Sequence, residues 1–64
     1  MNNQQWKAIY AFANEYGYDS PTEILQDLRR KQVIDKYDCW NEIDLEYPVF
    51  TYDGMMKFLE ENLL

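Results

Sequence analysis

Gly17 and the run Ser20-Pro21-Thr22-Glu23 punctuate the first half of the chain so closely that two separate helices must meet across a joint of four residues. Before Gly17, the side chains Trp6, Ile9, Tyr10, Ala13 and Tyr16 recur at helical spacing, and Phe12 widens the stripe. This pattern predicts a helix over 4–16 with the aromatic stripe turned into the core. Gly17 suits the left-handed position that closes a helix, because it carries no Cβ to strain the backbone there. Beyond the joint, Ser20 can cap the N3 amide, Pro21 loses nothing at the first helical position, and Glu23 can reach back. Ile24, Leu25 and Leu28 then form an apolar side, while Arg29-Arg30-Lys31 place cations where the helix dipole is negative. So short a joint predicts a tight helical hairpin or a near right-angle corner.

The periodicity changes at Val33. In Glu42-Ile43-Asp44-Leu45-Glu46-Tyr47 acid alternates with apolar, the period of a strand with one buried and one wet face. Val33-Ile34 is the expected partner strand, with 35–41 as connection, and Pro48 ends the ladder. Val49 to Tyr52 could extend further, and residues 53–64 read as a last helix. Asp53 is its expected N-cap; Met55, Met56, Phe58, Leu59 and Leu63 give it a broad apolar face. The expected fold is therefore α+β: a small single domain over 1–64 with two N-terminal helices, a short acidic β hairpin and a C-terminal helix.

Size limits what such a fold can do. A roughly 60-residue domain buries only about 60% of its unfolded surface, so most of the two Trp, six Tyr and three Phe are needed for folding, with little room for a substrate cleft. The chain has no His and a single Cys, Cys39, which excludes His-based proton shuttling, Cys/His nucleophiles and zinc ribbons. A calcium loop counted from Asp35 would place Trp40 where Gly is required, so that pattern fails. No enzyme, cofactor or metal is expected. One Cys cannot form an internal disulfide, and no signal or membrane segment is visible, so the expected setting is cytoplasmic.

The charge is the functional lead. Twelve acids against six bases give −6, but residues 1–34 are balanced, with four of each. Residues 35–53 hold Asp35, Asp38, Glu42, Asp44, Glu46 and Asp53 against Lys36 alone. On a strand, Glu42, Asp44 and Glu46 would share one face at about 6.6–6.8 Å intervals. Tyr37, Trp40, Tyr47 and Tyr52 are interleaved with these acids, and Tyr is an amphipathic residue suited to interfaces.

The expected partner-binding set is Asp35, Tyr37, Asp38, Trp40, Glu42, Asp44, Glu46, Tyr47 and Tyr52. A solvated polar strand face is the plain alternative. The functional expectation is a non-catalytic interaction protein, such as a small inhibitor of the kind made by phages and mobile elements. Its carboxylates would occupy a basic, nucleic-acid-binding site on a partner by charge mimicry. Direct binding to nucleic acid is disfavoured by the net charge. A homodimer formed through an edge strand or the C-terminal helix is the second reading. A small winged-helix DNA-binding domain with Arg29-Arg30-Lys31 on the backbone is the third, although the acids stand where a basic wing would be needed.

Overall fold

The computed structural model describes residues 1–34 and 40–64, and among them every regular element is a helix. In chain order these are α1 (Asn3–Tyr16), α2 (Pro21–Arg30), α3 (Trp40–Ile43) and α4 (Tyr52–Leu63). The α+β expectation is thereby overturned, because the described residues contain no strand and no hairpin.

Both halves of the expected hairpin have a helical explanation. Val33-Ile34 closes α2: Gln32 takes a left-handed φ of 59°, and the Val33 and Ile34 amides both turn back to the Leu28 carbonyl, at 2.8 and 3.3 Å. Together with the Gln32 amide on the Arg29 carbonyl at 3.0 Å, this is a Schellman closure that folds Val33 and Ile34 onto the core. In the second half, the amides of Asp44 and Tyr47 bond to the carbonyls of Trp40 and Ile43, both at 2.9 Å. Those of Leu45 and Glu46 bond to Glu42 and Ile43 at 3.2 and 3.0 Å. The alternation misled because Ile43 and Tyr47 share a face in either geometry: they are two places apart twice over on a strand, and four apart on a helical turn.

The N-terminal helices form where their punctuation lies. Asn2 and Gln5 make a capping box, with the Gln5 amide on Asn2 Oδ1 and the Asn2 amide on Gln5 Oε1, each at 2.9 Å. At the other end Gly17 is left-handed, with φ of 79°, and the Tyr18 amide reaches the Ala13 carbonyl at 3.0 Å.

Ser20 occupies the N-cap of α2 in extended conformation, yet its side chain makes no capping bond. Glu23 instead accepts weakly from the Asp19 amide at 3.4 Å. The cap of α4 is Thr51, two residues ahead of the expected Asp53: its Oγ1 accepts from the Gly54 amide at 3.1 Å and donates to the Pro48 carbonyl at 2.7 Å. Thr51→Ala is therefore expected to cost about 1–2 kcal/mol, and Ser20→Ala only a few tenths. Urea unfolding of the two variants measures the contrast, and equal losses would contradict it.

The helices enclose one core. Ala8, Ile9 and Phe12 of α1, Ile24 and Leu28 of α2, and Met55, Phe58 and Leu59 of α4 are all buried, with Ile34 and Val49 from the connections. Two bonds orient the principal pair. Asn2 Nδ2 donates to the Phe50 carbonyl at 3.0 Å beside the start of α4, and the Tyr16 hydroxyl donates to Glu60 at 3.4 Å near its end. So α1 and α4 run side by side in the same direction, and the chain between them, including α2, makes the return.

The aromatic stripe of α1 is only partly inside. Phe12 is buried, whereas Trp6, Tyr10 and Tyr16 lie on the exposed flank, with Ala8 taking a core place not assigned to it. No helix among the described residues is long and apolar enough to cross a membrane.

Candidate functional site

The segment 40–47 forms a knuckle on the outside of α4. Trp40 and Tyr47 are half-buried and meet the same ring from two places: their centroids lie 5.8 and 5.6 Å from that of Phe58, both edge-on. The Tyr47 hydroxyl also donates to Glu61 at 2.9 Å. This bond to a carboxylate, with burial second, raises the phenol above its ordinary pKa, so Tyr47 keeps the proton that anchors it.

Of the expected partner-binding set, Trp40 and Tyr47 therefore act chiefly as feet, clamped on Phe58 with little face left for a partner. Glu42, Asp44 and Glu46 are exposed, and none of them forms an ion pair among the described residues. They do not make the single strand row expected, since Glu42 and Glu46 stand one helical turn apart. Tyr52 is exposed but opens α4, at the end of the molecule where Asn2 meets Phe50. Asp35, Tyr37 and Asp38 lie outside the described residues.

The sequence pattern missed Leu45. Assigned to a buried strand face, it is 89% exposed, between Asp44 and Glu46 and far more open than any other described apolar side chain except Leu64 at the terminus. The missed signal was the Ile43/Tyr47 pair: once those two define the inner side of a helical turn, the residue midway between them points out. Trp6 and Tyr10 are a second pair of exposed aromatics, in tilted contact at 6.3 Å, and Phe50 is also exposed.

Two other phenols are also raised above the ordinary value. Burial, then the charges of Glu15 and Glu60, raises Tyr16; burial, then Asp27, raises Tyr18. Among the described residues no three Asp, Glu or Cys side chains converge in a way that could hold a metal ion. Comparison with protein-family models, curated proteins and solved structures finds no match.

Proposed function

We propose that this chain is a non-catalytic interaction protein that binds a basic surface on a partner through the acidic knuckle at 40–47. The observation that carries this reading is the placement of Glu42, Asp44 and Glu46: exposed, free of ion pairs among the described residues, and mounted on a hydrogen-bonded turn fixed to the core. Like charges held close together oppose folding and favour whatever neutralises them. A basic site that normally takes nucleic acid has suitable chemistry, so an inhibitor acting there remains within the proposal. Imitation of an evenly spaced phosphate row does not, because it required the strand.

The test uses a basic peptide of Lys and Ser as probe. Replacing Glu42, Asp44 and Glu46 together by Gln, Asn and Gln should leave the thermal midpoint unchanged or slightly raised. It should weaken peptide binding at low salt about tenfold, since exposed charge pairs contribute roughly 0.2–1 kcal/mol each. A control variant neutralising Glu15, Asp19 and Asp53 removes the same charge elsewhere and should lose distinctly less. Equal losses in the two variants would mean that net charge, and not the knuckle, is responsible.

The assembly reading keeps one supporting observation, the exposed Trp6, Tyr10 and Phe50. Its earlier forms have lost theirs, because there is no edge strand among the described residues and the apolar side of α4 is occupied by the core. A winged-helix reading likewise lacks a wing there, and Arg30 is paired with Asp27 at 3.3 Å.

A further inference from the structure

We propose that Leu45 is the apolar anchor of the knuckle, and that the partner surface is an apolar pocket rimmed by Lys or Arg. The inference rests on the basic-partner reading above and specifies the site that reading leaves open. Three observations carry it. Leu45 is 89% exposed and so contributes almost nothing to the core. Its backbone is nevertheless fixed, by its own amide on the Glu42 carbonyl and by the neighbouring bonds of Asp44, Glu46 and Tyr47. The turn is itself fastened below by Trp40 and Tyr47 on Phe58.

A large aliphatic group held rigidly away from its own protein loses little conformational freedom when a pocket covers it. Single exposed apolar side chains are common on protein surfaces; the surroundings distinguish this one. Glu42, Asp44 and Glu46 flank it, so any pocket that takes Leu45 brings its rim against three carboxylates. An apolar or acidic rim would desolvate or repel them, whereas a rim of Lys and Arg complements them. The same charges disfavour an anionic lipid surface as the occupant. They also disfavour a second copy docking knuckle to knuckle.

Two peptides of equal length and Lys content serve as probes, one with Leu and the other with Ser at the remaining positions of one helical face. Wild-type protein should bind the Leu peptide about tenfold more tightly than the Ser peptide, the gain expected from covering one aliphatic side chain. Leu45→Gln should abolish that preference without changing the thermal midpoint. Tyr10→Gln, at the other exposed apolar group, should preserve it.

The anchor is refuted if the preference is absent in the wild type or survives Leu45→Gln. Loss of the preference in Tyr10→Gln alone would place the adhesive surface on α1. Sedimentation showing a dimer that Leu45→Gln dissociates would identify the occupant as a second copy and overturn the pocket. If neutralising Glu42, Asp44 and Glu46 still weakens both peptides while Leu45→Gln has no effect, only the anchor fails; if neither variant matters, the basic-partner reading fails with it.

Discussion

Gly54→Ala is expected to destabilise the protein by about 2 kcal/mol, although alanine is the better helix former. Helix propensity alone would favour the substitution by up to about 1 kcal/mol. The obstacle is backbone. A Cβ on Gly54 would overlap the Pro48 carbonyl oxygen and lie 2.5 Å from the Pro48 carbonyl carbon and 2.7 Å from its Cγ. That carbonyl cannot swing aside freely, since it already accepts from the Thr51 hydroxyl at 2.7 Å and the Thr51 amide at 3.0 Å. Relieving the overlap disturbs the cap of α4, at roughly 1 kcal/mol, on top of about 1–3 kcal/mol for forcing extra volume into a packed site. The two costs together exceed the propensity gain. Urea unfolding should show the loss at unchanged m-value, with a thermal midpoint lower by about 10 °C for a domain of this size. A variant as stable as wild type would mean that Pro48 does not sit against α4 in solution.

That close approach illustrates what the sequence could and could not convey. Gly17 announced itself because it follows a helical stripe and precedes a capping run, all within a few residues. Gly54 gave no such sign: its reason is a carbonyl six positions earlier, brought there by the turn through Thr51. The same holds for the caps. Thr51, a capping residue of ordinary type, lay just before Asp53, and local pattern alone cannot choose between two neighbouring candidates; only the Pro48 carbonyl, which accepts from Thr51, decides it. Asn2 and Gln5 form a reciprocal cap that the apolar stripe from Gln4 onward did not indicate, and Gln5 is fully buried while its Nε2 finds no partner among the described residues. Burial of that amide depends on α1 lying against other elements, which no local pattern encodes. The acids were legible as a cluster from counting alone. Their arrangement was not, because a six-residue alternation holds both a strand face and an i,i+4 pair, and contact with Phe58 selects the second.

Phe58→Ala is expected to have the largest effect of any single change, because one ring serves both the core and the knuckle. Phe58 is nearly inaccessible, and its removal should cost about 3–5 kcal/mol through lost burial and the remaining cavity. At roughly 0.05–0.15 kcal/mol per residue a chain of 64 residues has about 3–10 kcal/mol of stability, so this loss is a large fraction of it. Far-ultraviolet circular dichroism should therefore find the variant substantially unfolded or melting far below wild type. Phe58→Leu refines the experiment. It keeps an apolar group in the core at smaller cost, but removes the ring that Trp40 and Tyr47 meet in edge-to-face contact. The Tyr47 bond to Glu61 and the packing of Ile43 on the core then hold the turn. In this variant the fold should persist, while near-ultraviolet aromatic signals weaken and amide exchange at 44–47 accelerates. Binding of the Ser-containing basic peptide should survive, since it needs only the carboxylates. Preference for the Leu-containing peptide should decline, since it needs Leu45 held in place. Full retention of that preference with a loosened turn would show that rigidity contributes nothing to the anchor, and that Phe58 matters to the core alone.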